Sequence, residues 1–302
     1  MNILIDGATG FLGGKVTTML VELGHDVSII KRTSSNTTSI DHIRNCKFYD
    51  IDTCDKETIF SESSKFDVVI HLATDYGRAG NGFSGVIQAN LMLPLELMSL
   101  SVKYGVEFFI NTDTYYNRPG SQSYHLAPYS LTKRQIVEWG KLLAVQKKLH
   151  FINVKLQHMF GAGEGASKFT TSLIRDCVRD VDEVKLTDGI QRRDFIYIDD
   201  VVAAYKTILL QLPYDDFFVD YDVGTGISTS IRDFALLVKK ATKTRTHLNF
   251  GAIPNRENEI TDSCADTTLL RSLGWTAQVE LEEGVDRIIQ YETISKYNDS
   301  DL

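Results

Sequence analysis

A tyrosine and a lysine stand four residues apart in the segment "PYSLTK", as Tyr129 and Lys133. On a helix they lie one above the other on a single face. An ammonium beside a phenol favours the phenolate and lowers its pKa from about 10, so that Tyr129 could give a proton to a carbonyl oxygen at neutral pH. Alone, this spacing is common on exposed helix faces. Upstream, the apolar run "VEFFI" ends in Asn111, Thr112, Asp113 and Thr114. Thr112 puts a hydroxyl at a strand end, where it can hydrogen-bond a substrate oxygen. Asp113 is either a contact for a substrate hydroxyl or a partner for nearby backbone.

A third feature gives the first two a setting. "GATGFLG" places Gly7, Gly10 and Gly13 directly after an apolar strand and at the opening of a helical segment. The first glycine permits a tight turn, the second lets backbone approach a pyrophosphate, and the third allows close helix–strand contact; the helix N-terminus adds amide donors. A lone glycine pattern is weak, but this one has the strand–turn–helix context that dinucleotide binding requires. Lys133 can then also hold the nicotinamide ribose. At the end of the second strand, "DVSIIKR", an acid would select NAD; here Lys31 and Arg32 stand there, followed by Thr33 and Ser34. That basic pair favours NADPH, with NADH possible, against the plainer reading of a solvated turn. The third strand ends in "FYDID", so Asp50 and Ile51 can hold the adenine, while Asp52 can cap a helix beginning near Thr53.

The elements that must position these residues follow from the periodicity. Short apolar runs alternate with helix-length amphipathic stretches: "NILIDG", a helix from Phe11 to Leu23, "DVSIIK", "FDVVIHLA", a helix around Gln88–Tyr104, "VEFFINT", a helix around Ser130–Leu149, and "FINVKL". Uninterrupted apolar runs suit strands covered on both faces, hence a parallel sheet. The expected fold class is α/β, a Rossmann-type doubly wound parallel sheet with a smaller C-terminal substrate-binding lobe. The site is expected at the carboxyl ends of the strands. Beyond Leu156, "HMFGAGEGASKF" reads as a loop, "RRDFIYIDDVVAAYKTILL" as strand then helix, and "YDVGTG" as one more sheet strand.

The 302 residues carry a net charge of −8, which argues against nucleic acid or an anionic membrane as partner. No apolar run approaches the ~20 residues a membrane span needs. The N-terminus starts at once on a strand pattern, so no leader peptide is expected. The four cysteines show no zinc spacing. Reduced thiols in a cytoplasm are the simplest reading, and no metal is expected.

Together, "GATGFLG", "HLAT", "NTD", "YSLTK" and "RRDFIYIDDV" resemble the extended short-chain dehydrogenase/reductase family acting on nucleotide-activated sugars, over residues 2 to about 290. The resemblance implies Thr112, Tyr129 and Lys133 as the catalytic set. It adds Thr9, Phe11, Leu12, Leu72, Ala73, Thr74 and Asn90 to the cofactor contacts. For the substrate it implies Tyr76, Thr112, Asp113, Thr114 and His158 around the sugar, Arg193 and Arg256 on the diphosphate, and Lys168, Phe169 and Leu186 near the base; Tyr76 reads equally as a packed aromatic, and His158 more simply as a local hydrogen-bonding group. Each arginine has an ion-pair alternative, since Asp194 and Glu257 are adjacent. "KLQHMFGAG", with Lys155 and His158, departs from the family's usual R-x-x-N before "YGPG". The implied organisation is a dinucleotide-binding domain of residues 1–157 with 194–226, and a sugar-nucleotide lobe of 158–193 with 227–302. A homodimer through a helix bundle is implied as well.

The residues also sort the reactions of such a family. Its 4,6-dehydratases carry Thr-Asp-Glu at the strand end, and here Thr114 stands where the second acid belongs. Elimination then lacks its base. A 4-epimerase gains by retaining NAD, whereas Lys31 and Arg32 suit a consumed NADPH. The expectation is therefore reduction of a C4 ketone; that the substrate is a nucleotide-linked deoxyhexose, a CDP-4-keto-3,6-dideoxyhexose above all, for bacterial surface polysaccharide, is what the resemblance implies. The alternatives are the opposite C4 stereochemistry or an NAD-retaining 4-epimerase.

Overall fold

The computed structural model describes residues 1–77, 82–117 and 126–300, the side chains of 295–300 excepted. The described residues divide into two compact units: residues up to 117 with Leu126–Lys155 and Tyr205–Tyr221, and Leu156–Ala204 with the residues from Asp222 on.

The first unit opens with β1 (Asn2–Asp6), α1 (Phe11–Glu22), β2 (Asp26–Lys31), β3 (Lys47–Asp50), α2 (Lys56–Glu62) and β4 (Val68–His71). A long helical run follows as α3 (Gly82–Ile87), a π-helical turn (Gln88–Met92) and α4 (Leu93–Lys103). Then come β5 (Phe108–Thr114), α5 (Ala127–Val145) and β6 (His150–Leu156). With β10 (Phe218–Val223), these strands make a seven-stranded sheet in the order β10-β6-β5-β4-β1-β2-β3. The pairings from β3 through β5 are parallel. The order reverses beside β1: the chain runs outward through β2 and β3, then returns to β4 on the other side. Such a switch point is where an open α/β sheet binds its ligand.

Every residue of β4 and β5 is buried, as expected of strands covered on both faces. One face packs Leu4, Val69, Phe109 and Phe151 of the sheet against Ile59 and Phe60 of α2, Leu97 and Met98 of α4, and Ile136 and Val137 of α5. The π-turn has a local cause: Pro94 cannot donate to the carbonyl of Asn90 four residues back, so the regular ladder breaks there. The helical run Gly82–Lys103 matches a membrane span by length and composition alone, but Gln88, Asn90 and Glu96 interrupt its apolar residues. In the fold, Leu97, Met98 and Leu100 of this run belong to the core.

The second unit contains β7 (His158–Phe160), α6 (Phe169–Val178), β8 (Glu183–Leu186), β9 (Arg192–Tyr197) and the start of α7 (Ile198–Leu210). After β10 come β11 (Ser228–Ser230), α8 (Ile231–Thr242), β12 (His247–Phe250), α9 (Thr268–Ser272) and α10 (Leu281–Ser300). One small sheet has the order β11-β9-β7, and β12 pairs with β8 in another. The stretch read as loop at His158 therefore begins with a strand. Residues 194–204, grouped with the first domain on sequence grounds, lie in the second unit, because β9 pairs with β7 and β11 and not with the large sheet.

Candidate active site

The glycine loop follows β1 at the switch point. Gly7 has φ of +66°, and a Cβ there would lie 2.5 Å from the amide nitrogen of Ala73, just past β4. A Cβ on Gly13 would lie 2.0 Å from the carbonyl oxygen of Gly7, and one on Gly10 3.2 Å from the same atom. Only glycine fits the first and third positions. Thr9 and Gly10 lead directly into Phe11 and Leu12 at the start of α1. The loop is thus a cradle that added carbon atoms would fill, as a pyrophosphate site requires.

A clamp centred on Asp6 holds β1 against β4. Asp6 accepts from the amides of Leu72 at 2.7 Å and Ala73 at 2.9 Å, and from His71 Nδ1 at 2.6 Å. Burial pushes the Asp6 carboxyl up, but His71 and the two amides outweigh it and hold the group below its ordinary value. Leu72, Ala73 and Thr74 are thereby fixed beside Gly7. Asn90, in the π-turn, is fully buried. Its amide donates to the carbonyl of Asp75 at 2.8 Å, while its oxygen accepts from the Asp75 amide at 2.8 Å and from Thr74 Oγ1 at 3.4 Å. Asn90 therefore pins the loop that carries Thr74 and Tyr76.

At the β2–β3 edge, Lys31 and Asp50 face each other in register, with Lys31 Nζ 3.5 Å from Asp50 Oδ2. Thr33 Oγ1 donates to the same carboxylate oxygen at 2.7 Å. Arg32 is exposed, and Ile51 half-buried beyond Asp50. Asp52 is not a helix cap: α2 begins at Lys56, and Asp52 accepts from the amide of Thr33 at 2.9 Å.

Thr112 and Thr114 stand on β5, and Tyr129 and Lys133 on α5. Lys133, 1% exposed, donates from Nζ to the carbonyl oxygen of Thr112 at 2.8 Å. Burial lowers its ammonium to about 8, against the pull of Asp113 and Asp6. Tyr129 is buried, its ring 4.8 Å from that of Tyr76. The expectation that Lys133 draws the phenol down is not met. Burial pushes Tyr129 well above its ordinary value, Tyr76 adds to this, and the hydrogen bond of the Thr114 side chain works against it. Lys133 is spent on a backbone carbonyl instead. Thr112 Oγ1 pairs with the hydroxyl of Tyr205, on α7, at 2.6 Å. Thus the threonine that meets the Tyr129 phenol here is Thr114.

Asp113 points into a polar network that crosses the sheet. Asn153 Nδ2 donates to Asp113 Oδ2 at 3.0 Å and to Asp220 Oδ1 at 2.9 Å, and Asn153 Oδ1 accepts from Asn111 at 2.8 Å. Asn117 also donates to Asp113 Oδ2, at 2.9 Å. Asp113 Oδ1 is buried without a hydrogen-bond partner. Burial raises this carboxyl above its ordinary value, against the hydrogen bonds. Its hydrogen-bond partners are the side-chain amides of Asn153 and Asn117 and the backbone of Thr114, so the reading of a local backbone contact is met. Lys155 pairs with Asp220 at 3.1 Å.

In the second unit, Arg193 is 4% exposed. It donates to Glu259 Oε1 at 2.9 Å and to the carbonyl oxygens of Ile260 and Arg192, each at 2.7 Å. The ion-pair alternative is thus realised, with Glu259 as partner; Asp194 accepts instead from Thr225, Gly226 and Ala265. Arg256 is exposed on the segment leading to Glu259. His158 sits edge-on to Phe195, and burial, with Arg193 and Lys168, lowers it to about 3, so it is neutral. Lys168 precedes α6, Phe169 packs near Phe234 with centroids 5.9 Å apart, and Leu186 is buried at the end of β8. Glu164 was not anticipated. It is buried, takes hydrogen bonds from Thr170 and Thr171, and is raised by burial to about 7.

A model described as the NAD dependent epimerase/dehydratase family matches residues 3–224, and the chain belongs to that family. Among its relatives, CDP-abequose synthase of Salmonella typhimurium is 33% identical over 293 residues, covering 95% of this chain and 97% of that protein. CDP-abequose synthase of Salmonella muenchen is 32% identical, covering 95% and 96%. The solved structure of a UDP-glucose 4-epimerase with UDP-glucose, from Thermotoga maritima, superposes with a TM-score of 0.82 at 25% identity over the whole of both chains.

Proposed function

We propose that the protein is an NADPH-dependent 4-ketoreductase that converts a CDP-4-keto-3,6-dideoxyhexose to a CDP-3,6-dideoxyhexose, of the kind represented by CDP-abequose. The observation that carries the reading is the strand end of β5 beside α5. There Lys133 holds the backbone carbonyl of Thr112 and the Tyr129 phenol meets Thr114, and Thr114 stands where a dehydratase carries its second acid. The similarity to two CDP-abequose synthases supports the choice of CDP and of the dideoxy sugar.

The glycine loop, Asp50, Ile51 and the Leu72–Thr74 segment would hold the cofactor, which supplies the hydride when bound. The chain does the rest. Thr112 hydrogen-bonds the C4 oxygen, and Tyr129 delivers the proton to it. Thr114 holds the phenol oxygen and eases that transfer, because a hydrogen bond to the phenolate favours it. Lys133 fixes the Thr112 backbone and places a cation near the reacting oxygen. Tyr76, Asp113 and His158 line the sugar, the exposed Arg256 offers a cation to the diphosphate, and Lys168, Phe169 and Leu186 serve the nucleoside side. Arg193 orders the Glu259 segment and leaves fewer of its donors for phosphate. Exposed Leu131, Trp139 and Leu142 on α5, with Ile87 and Met92, suit a homodimer through a helix bundle. Four free cysteines suit a cytoplasmic setting.

One observation favours a second reading, an NAD-retaining 4-epimerase: Asp50 partly neutralises Lys31 and so weakens the case for a 2′-phosphate. The two are separated by supplying NADPH with a panel of CDP-, dTDP- and GDP-linked 4-keto sugars and identifying products by NMR. Stoichiometric reduction is expected with the CDP sugar. Interconversion of UDP-sugars without cofactor loss, on NAD that co-purifies, would sink the reductase reading.

A further inference from the structure

The hydroxyl of Thr112 is met by a residue that no motif or spacing singles out. Tyr205 lies 93 positions further along the chain, is fully buried, and brings its hydroxyl within 2.6 Å of Thr112 Oγ1. Among the described residues, Thr112 is the sole hydrogen-bond partner of that phenol. A hydroxyl has one proton to give and two lone pairs to offer, so the direction of the bond can be deduced. Were Thr112 the donor, the phenol proton would be buried without an acceptor, at the cost of an unmade hydrogen bond. With Tyr205 as donor, the phenol is satisfied and the Thr112 proton is left free. The Thr112 carbonyl is already engaged by Lys133, so both ends of this residue are held. Thr112 as a whole is 9% exposed.

We infer that Tyr205 is a positioning residue: it donates to Thr112 Oγ1 and so turns the Thr112 proton toward the C4 oxygen of the sugar. The inference rests on the proposed ketone reduction. A donor fixed in advance where negative charge develops stabilises the transition state without reorganisation. A threonine free to rotate would spend part of its time pointing away, or accepting from elsewhere. Burial pushes the Tyr205 phenol upward, against the Thr112 hydrogen bond, so it stays protonated and keeps donating at any working pH. The substrate binds through other groups as well, so the effect belongs in kcat more than in KM.

A double-mutant cycle on the full-length enzyme with NADPH decides the point. Tyr205→Phe is expected to lower kcat about tenfold, the worth of one ordinary hydrogen bond or slightly more, with KM within about threefold. In a Thr112→Val background, where no hydroxyl remains to orient, Tyr205→Phe should cost nothing further. In Thr112→Ser, which keeps the acceptor, the loss should return. Thermal unfolding of each variant shows whether a fall in kcat comes from a damaged fold. A loss of equal size in the Thr112→Val background would mean Tyr205 acts by packing alone and overturns the inference, as would undiminished kcat in Tyr205→Phe. If the wild type reduces no keto sugar but interconverts UDP-sugars, the reductase reading falls by itself. The cycle is then judged on that reaction, where Thr112 meets the same oxygen.

Discussion

Replacing Lys133 by Met tests the electrostatics of the site through stability alone, with no substrate needed. Lys133 is 1% exposed, and burial lowers its ammonium from 10.5 to about 8. The gap of about 2.5 pH units corresponds to about 3 kcal/mol at 1.36 kcal/mol per unit. Below pH 8, folded and unfolded chains both hold the proton, and the buried charge opposes folding by that amount. Between pH 8 and 10.5 the folded chain releases the proton while the unfolded chain keeps it, so stability rises with pH. Methionine fills a similar volume without charge and has no such slope. At pH 7, relief from the buried charge is offset by loss of the hydrogen bond to the Thr112 carbonyl, about 1.5–3 kcal/mol for a charged donor. The two proteins should then differ by less than about 2 kcal/mol, although catalysis is lost in the variant. Urea unfolding of both at pH 7, 8, 9 and 10, followed by circular dichroism, gives the difference directly. It should move in favour of the wild type by about 2–3 kcal/mol across that range. Parallel curves, or movement in favour of the variant, would refute the reasoning.

Three further expectations follow from the same geometry. Gly13→Ala puts a carbon 2.0 Å from the Gly7 carbonyl oxygen and should abolish NADPH binding in a fluorescence titration; unchanged affinity contradicts the cradle. Asn153→Leu removes the donor shared by Asp113 and Asp220 and should cost about 3 kcal/mol in urea unfolding, in the range of breaking a buried polar network. A loss within error of zero would mean the network is ornamental. Replacing Lys31 and Arg32 with Asp and Ala should move the kcat/KM ratio from NADPH toward NADH at least tenfold, and an unmoved ratio would mark the pair as a solvated turn.

The parts of the molecule legible in the sequence are those whose cause is local. Gly7 to Gly13 sit within one turn of chain, Tyr129 and Lys133 within one helical turn, and the apolar runs of β4 and β5 declare their burial by themselves. Tyr205, Asn153 and the Asp6–His71 clamp were silent because each partner lies at least 40 residues away, and nothing in an isolated Tyr, Asn or Asp says which strand it will face. The fate of Lys133 was missed for a related reason. Helical spacing places it on the face of Tyr129, but the carbonyl that claims its ammonium belongs to β5. His158 was read within a loop because three residues are too few to show a strand period, and only pairing with β9 makes them one. Glu164 gives no local signal either, since the threonines that hold it are useful only once α6 begins where it does.

The central claim is that Tyr129 delivers a proton to the C4 oxygen of a CDP-linked keto sugar while NADPH is consumed. It is tested most directly by following NADPH absorbance with CDP-4-keto-3,6-dideoxyglucose for the wild type and Tyr129→Phe. The wild type should oxidise one NADPH per reduced sugar. The variant should lose activity by a factor of about 10²–10⁴, the worth of a positioned general acid, while binding NADPH as before. Undiminished turnover in Tyr129→Phe, or sugar converted with no loss of NADPH, would contradict the account.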